Sequence, residues 1–486
     1  MFSLFGFAQP NYNVNIFNNP YPGNLFFHVG GPPSKPVNIV DSTGALIYSE
    51  DFGLKGWGWQ VNKNNKITFF DRQSKGWFVM DSLQNIVDSV YCQNGYIADN
   101  HDFLALNSGN YVLFAYDIRP YATDTIVPNG SQDQNIQGLT IQELDNDHNV
   151  LFEWSSFDHF YLSNYPGILN SLGNNTFDFL HCNAIEIDED GNFLISNRTL
   201  SEITKINRIT GEIIWRFGGE QSDFIFTNDY PFSKQHCIKS LDSNRYLLYD
   251  NGNLSDLYTG GIQRSRAVEY ELNLTDFTAT KLWEYVHPDS LFTPSIGSVQ
   301  RLENGNTLIN FGNNQLINRG SVITEVNTNN EIVFELELEN GQNVYCANKA
   351  NWNFDNGALN LDDFIGPINV GKLNIYPNPS HSKFKIEVNS INEPAFDLKL
   401  AAKMFNINWD MEVYGFMNGN EPIIVGSECI GKCKNISNIK DKINFTKNLV
   451  VNSNNIVDQL NKLNDLYKSG ALTQEEFEKA KKKILN

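Results

Sequence analysis

Cysteine is scarce and scattered in this chain, with six among 486 residues, at positions 92, 182, 237, 346, 429 and 433. None forms a CxxC pair, and Cys429 with Cys433 alone make a weak metal signal. Neither a disulfide framework nor a cysteine-rich zinc module is expected. No apolar run is long enough to span a bilayer. Positive charge is also short, with 36 Lys and Arg against 56 Asp and Glu, a net charge of −20. That balance excludes nucleic acid and an anionic membrane surface as main partners. It leaves room for a small anionic substrate, because a few cations can dominate the field inside a narrow pocket. Histidine is rare as well, eight in all, so any regular placement of histidines is informative.

Aromatic residues, by contrast, are plentiful: 34 Phe, 20 Tyr and 8 Trp. Such side chains suit packed sheets better than helices. From about Val37 to Leu338 one pattern recurs, in which an alternating apolar strand meets a turn and a second strand follows. Instances are HDFLALNSGNYVLFAYD from His101, HCNAIEIDEDGNFLISNR from His181, HCIKSLDSNRYLLYDNG from His236 and GSVQRLENGNTLINFGN from Gly297. Outer hairpins lie between them, such as EITKINRITGEIIWRFGG, with turns marked by Thr210-Gly211 and Asn329-Asn330. The starts at 101, 181, 236 and 297 fit units of roughly fifty residues with insertions, within the range of propeller repeats. The longest interval carries an insertion near Phe157 to Phe177, expected on a binding rim. Counting back from His101 leaves room for two more units. The fold class expected is therefore all-β, a six-bladed β-propeller over 20–340, with a small mixed and helical C-terminal extension.

Outside that span the composition changes. Residues 1–19 form a short apolar start, either the remnant of a secretory signal or an ordinary N-terminal arm. Residues 341–372 are rich in Asn, Asp and Gly and read as a linker. A β-hairpin-like unit around two prolines follows at 373–394, then a stretch of no clear class at 395–457. Residues 458–486 read as a helical hairpin. Leu460, Leu463 and Leu466 form its stripe, and Thr473 with Glu476 makes a capping box.

Three histidines stand at one phase of the repeat. His101, His181 and His236 each open an innermost strand, and innermost strands line the central channel of a propeller, so these side chains are expected to converge near the axis. Ser298 stands near that place in a fourth unit. Arg198, on the strand returning from the His181 hairpin, can meet an oxyanion bidentately. Three imidazoles also suit zinc with an open fourth position. No carboxylate set around them is readable, however, and an arginine would oppose a dication.

The words around these positions resemble the bacterial arylsulfate sulfotransferases. The resemblance is carried by NHDFLAL at Asn100–Leu106, DFLHCNAI at Asp178–Ile185, ISNR ending at Arg198, TGEIIWRFGG at Thr210–Gly219, QHC at Gln235–Cys237 and YDNGN at Tyr249–Asn253. It covers about residues 20–340. Phe179 departs from it, where a tryptophan is common, and the N-terminal third matches loosely. The resemblance implies a six-bladed propeller that moves a sulfuryl group between phenols without a nucleotide sulfate donor. Small aryl sulfates and phenols would be its partners, with no cofactor and no metal. Carried across motif by motif, His236 would be the transiently sulfated nucleophile. His101, His181 and Arg198 would be its polar partners, and Asn183 a further substrate contact. Transfer from a sulfate monoester resembles loose phosphoryl transfer, where positioning and charge stabilisation do most of the catalysis. A neutral imidazole is a competent nucleophile near pH 7, and Arg198 with a protonated histidine can neutralise the equatorial oxygens. The alternative is a non-catalytic secreted propeller whose funnel binds an anionic or aromatic ligand, because fold alone does not fix function.

Two resemblances occur in the tail. NIYPNPS at 374–380 resembles the start of a type IX secretion sorting domain, and 460–485 resembles a SHOCT domain. The first implies a secreted, cell-surface or periplasmic bacterial protein. A sorting signal belongs at a terminus, so the residues that follow it are unexpected and fit a fused reading frame.

Overall fold

A computed structural model describes residues 11–352 apart from 31–34, 129, 170–171 and 173–175, together with four strands between 373 and 429. Alternating apolar residues and turn-forming dipeptides produce antiparallel four-stranded sheets, and six of these stand around one axis. The second blade runs outward through Lys55–Val61, Ile67–Asp71, Gly76–Met80 and Ile86–Val90. The third comprises Ala98–Ala105, Tyr111–Tyr121, Gln134–Leu144 and Val150–Ser155, and the fourth Cys182–Ile187, Phe193–Asn197, Glu202–Ile206 and Ile213–Gly218. The fifth comprises His236–Ser240, Arg245–Asp250, Arg266–Asn273 and Thr278–Tyr285. The sixth comprises Ser298–Arg301, Thr307–Phe311, Val322–Val326 and Ile332–Leu338.

The first blade is made from both ends of this unit. Its outer strands are Asn24–Gly30, Val37–Val40 and Leu46–Glu50, while its innermost strand is Asn343–Ala350, paired antiparallel to Asn24–Gly30. A second clasp joins Tyr12–Phe17 to Ile332–Leu338 as the outermost strand of the sixth blade. The ring thus closes twice, with the first and sixth blades each completed by a strand from the far end of this unit. Residues 343–350, expected from sequence to lie in a linker, are instead part of the propeller. A four-strand repeat that ends on an outer strand still needs one innermost strand to complete its first sheet. The N-terminal arm at 12–17 likewise belongs to the ring.

Between blades the core is aromatic. Trp215, Phe217, Phe224, Phe232, Tyr246 and Tyr270 pack together where the fourth and fifth blades meet. Each such ring removed from water contributes on the order of 2–3 kcal/mol. The insertion after the third blade makes one-turn helices at Ser156–Asp158 and Leu162–Asn164 and a short helix at Pro166–Leu169. Phe160, Leu162, Tyr165 and Leu169 bury themselves with Phe179 and Leu180. Tyr165 donates to the buried Glu202 at 3.2 Å, so this segment is anchored to the fourth blade and fixes the loop that carries Asp178 and His181.

The chain divides into a unit over 1–354 and another over 355–486. In the second unit the described strands form two antiparallel hairpins, Leu373–Asn378 with Lys383–Val388 and Met411–Asn418 with Glu421–Cys429. The hairpin expected around the two prolines is therefore present. The helical hairpin expected at 458–486 lies outside the described residues. Among the described residues no helix is long and apolar enough to cross a membrane.

Candidate active site

The three histidines and Arg198 meet where the innermost strands begin. The rings of His101 and His181 lie 5.1 Å apart, and the ring of Tyr345 sits 5.7 Å from His101 and 6.2 Å from His236. Arg198 donates its backbone N–H to the carbonyl of His181 at 3.1 Å, which ties the two residues to one blade top. Its guanidinium donates to the carbonyl of Pro294 at 3.0 Å, while Nε is buried without a hydrogen-bond partner. Among the described residues it pairs with no carboxylate. Burial lowers its basicity, and the nearby Asp178 and Tyr345 oppose that shift. An unpaired guanidinium in a polar funnel is suited to an oxyanion.

His236 is 3 % exposed, and its surroundings fix its tautomer. Asn251 Nδ2 lies 2.7 Å from the carbonyl of Thr293 and 2.9 Å from that of Ile296, both acceptors only. Asn251 Oδ1 therefore faces His236 Nδ1, at 2.6 Å, and must accept. The proton sits on Nδ1 and the lone pair on Nε2, toward which the Ile296 N–H points at 3.3 Å. Burial pushes the basicity of this ring well below the ordinary range. The Asn251 bond opposes that shift, while Arg198, His181 and His101 add to it. The ring is neutral at pH 7 with its lone pair on Nε2, the form a nucleophile needs once the long Ile296 contact yields.

The backbone around His236 is strained. Ile296 has φ +57°, a left-handed conformation that is an outlier for a β-branched residue. Holding it there costs about 1–3 kcal/mol. Gly297 follows at φ +131°, where a Cβ would lie 2.3 Å from the Tyr249 ring, so only glycine fits. Behind Asn251, Asp250 accepts the N–H groups of Ser233 and Gly252 and pairs with the buried Arg266 at 2.9 Å. These bonds hold both chains that flank the imidazole.

His101 and His181 are held differently. His101 Nδ1 lies 2.6 Å from Asp99 Oδ1, and His181 Nδ1 lies 2.5 Å from Asp178 Oδ2. Each carboxylate also accepts its histidine's backbone N–H. A carboxylate at Nδ1 orients the ring, leaves Nε2 facing the site, and stabilises the imidazolium formed when the ring takes a proton. His181 itself has φ +49°, so its loop aims the ring at a local cost.

Asn183 lies beside the site, 3 % exposed. Its Nδ2 donates to the carbonyl of Gln235 at 2.8 Å, bracing the residue before His236, and its Oδ1 is buried without a partner. Its backbone carbonyl accepts the Tyr345 hydroxyl at 2.9 Å. Ser298 binds the closing strand through Ala347 rather than joining the histidines. Further along the innermost strands, Lys239 pairs with Glu186 at 3.0 Å and Glu186 with Lys63 at 3.1 Å, so charges there are mutually compensated. Among the described residues no group of three or more His, Cys, Asp or Glu is arranged to hold a metal ion.

Sequence reasoning missed Tyr345, Asp99, Asp178 and Asn251. Tyr345 stands on the closing strand, and the signal was the alternation of NVYCANKA directly after a completed outer strand. The other three lie inside or beside the motifs quoted above, but their roles depend on pairings across the fold.

A family model described as Arylsulfotransferase (ASST) matches residues 32–353, and one described as Short C-terminal domain, SHOCT, matches residues 458–485. No curated protein matches the chain. Among solved structures, a protein of unknown function from Bacteroides caccae is similar at 14% identity and TM-score 0.42, covering 67% of this chain and 98% of that one. A streptogramin B lyase is similar at 10% identity and TM-score 0.36, covering 70% and 98%. A catalytically inactive virginiamycin B lyase from Staphylococcus aureus, with quinupristin, is similar at 9% identity and TM-score 0.35, covering 68% and 89%. None of these structural likenesses is near enough to carry function.

Proposed function

The chain belongs to the arylsulfotransferase family, and on that premise we propose that it moves a sulfuryl group from an aryl sulfate to a phenol through a sulfohistidine at His236. The family domain supports sulfotransferase activity in general. The observation that carries the finer reading is the tautomer of His236: neutral, Nδ1–H held by Asn251, and Nε2 unprotonated beside Arg198, His101 and His181, where it accepts from the Ile296 N–H at 3.3 Å, a long contact that the sulfur must displace.

In the first half-reaction His236 Nε2 attacks sulfur. The S–N bond forms and the S–O(aryl) bond breaks, so the electron pair leaves on the phenolate. An imidazolium at His101 or His181 gives that oxygen its proton and becomes neutral. The sulfated ring keeps its Nδ1–H on Asn251, and Arg198 faces the sulfuryl oxygens. In the second half-reaction the acceptor phenol loses its proton to the same neutral histidine. Its oxygen attacks sulfur, the S–N bond breaks, and His236 Nε2 regains its lone pair. No nucleotide sulfate donor enters, and kinetics are ping-pong. Tyr345 and Trp57, with ring centres 4.8 Å apart, supply an aromatic wall for the phenol.

The test is mass spectrometry of protein quenched with an aryl sulfate and no acceptor. The expected result is one added sulfuryl group on the peptide containing His236, removed when a phenol is supplied. Phenolate release with no labelled histidine would overturn the covalent route. We place the protein outside the cytoplasm, secreted, on the cell surface or in the periplasm, on the sorting-domain resemblance at 374–380. Fractionation of the producing cell tests this, and a cytoplasmic pool alone would contradict it.

A further inference from the structure

Arg72 is the counterpart of Arg198 two blades away. In the fourth blade Cys182 pairs with Asn197 just before a bulge, and the next residue, Arg198, donates its N–H to the carbonyl preceding the innermost strand. In the second blade Lys55 pairs with Asp71 just before a bulge, and Arg72 donates its N–H at 3.1 Å to the carbonyl of Leu54, which precedes that blade's innermost strand. The two arginines therefore stand at the same height on the funnel wall.

The Arg72 guanidinium lies 4.2 Å over the ring of Trp57. Among the described residues its side chain makes no hydrogen bond and no ion pair. The neighbouring carboxylates are engaged elsewhere. Asp71 holds the turn at Gln73 and Ser74 and faces Lys55 at 3.9 Å, and Asp51 accepts the N–H groups of Lys35 and Gly53. Trp57 Nε1 is buried without a partner. His28 packs against Trp57 with ring centres 6.1 Å apart, is 7 % exposed, and has its imidazole beside the Lys35 backbone. Buried polar atoms are normally satisfied. Here the Trp57 indole N–H lacks a partner, beside a half-buried guanidinium with no protein partner among the described residues and the buried His28 imidazole. That ring, Trp57, is in turn in contact with Tyr345, which borders His101 and His236.

We infer that Arg72, Trp57 and His28 form a second, anion-recognising subsite on the funnel wall. It selects phenolic substrates that carry an additional negative group, a carboxylate or a second sulfate, on a short arm opposite the reacting oxygen. The aromatic body rests on Trp57 and Tyr345, and the anionic group meets the Arg72 fork, which suits a planar carboxylate. The subsite rests on the transfer reading for the phenolic part of its ligand.

Binding is measured by calorimetry for 3-(4-hydroxyphenyl)propionate and for its neutral amide. The wild-type protein is expected to bind the acid at least about tenfold more tightly, a difference of ~1.4 kcal/mol. Arg72→Met should bring the two within about twofold while leaving the amide's affinity and the melting temperature unchanged. Arg72→Lys, which keeps the charge without the fork, should retain part of the preference. Equal affinities in wild type, no binding of either compound, or a preference that survives Arg72→Met overturns the subsite. Transfer from an aryl sulfate to plain phenol is followed in parallel. Its absence with the carboxylate preference intact counts against the transfer reading alone.

Discussion

Blades three and four hold their histidines with carboxylates, whereas blade five holds its histidine with an amide. Asp99 and Asp178 accept from His101 and His181, while Asn251 accepts from His236. All three partners take up Nδ1, which leaves Nε2 for the chemistry. They differ in kind: two rings bond an anionic acceptor, while the third, beside a neutral amide in a buried setting, has its basicity lowered and stays unprotonated. One position in a repeated unit can thus be made acid or nucleophile by a partner a few atoms away, without altering the imidazole itself.

If blade five is the nucleophilic side, His236→Ala should have the largest effect, with no detectable transfer and no sulfuryl label. The ring is buried and bonded to Asn251, so the melting temperature should fall by a few degrees, and His236→Asn, which keeps a polar side chain there, should lose transfer while remaining folded. Residual transfer above about one per cent would move the covalent role to another histidine. Arg198→Ala comes next. Nucleophile and acid remain, but the sulfuryl oxygens lose their cation, at a cost on the order of a hundredfold in kcat. A labelled His236 should still accumulate, only more slowly. An unchanged rate would assign the cationic role elsewhere.

Asn251→Asp turns blade five into a likeness of its neighbours. The new carboxylate should raise the basicity of His236 toward or above the ordinary histidine range, so at pH 7 more of the ring is protonated and unable to attack. The sign is therefore a loss at neutral pH that recovers as pH rises, with the acid limb of the kcat/KM profile moved upward. The expected drop at pH 7 is about tenfold to a hundredfold. A uniform loss with an unmoved profile would mean that Asn251 serves only as a brace.

Much of this contrast could be read in the sequence, and part of it could not. Four of the six blades announced themselves because period-two alternation and turn dipeptides are local signals, and the other two followed from the length of chain before His101. His101, His181 and His236 stood out because histidine is rare and each lies at a repeat start. Asp178, three residues before His181, was visible in the same string, but among 56 acidic residues a nearby carboxylate carries little information. Asn251 is fifteen residues from His236, and its orientation depends on carbonyls of Thr293 and Ile296 in the next loop, a pairing only the closed ring creates. Tyr345 was lost because an innermost strand with no hairpin partner next to it in sequence resembles a linker. The SHOCT-like end was legible for the opposite reason, since its helical periodicity and capping box are contained within thirty residues.

The mildest change runs the comparison in reverse: Asp99→Asn or Asp178→Asn gives blades three and four the amide of blade five. The side-chain size is kept and an acceptor remains for Nδ1–H, so the ring stays oriented. The carboxylate's support for the imidazolium is removed. The rate should fall by about tenfold for the variant whose histidine protonates the leaving phenolate. The substrate decides how large the loss is. A nitrophenyl sulfate departs without much help, whereas unsubstituted phenyl sulfate releases a phenolate of pKa about 10 that needs a proton. The deficit should therefore be small with the first and several-fold larger with the second. Of the two variants, the one with the leaving-group dependence identifies the acid. Equal deficits on both substrates in both variants would show that Asp99 and Asp178 position their rings and do nothing to their protons, and the contrast between the blades would then be one of geometry alone.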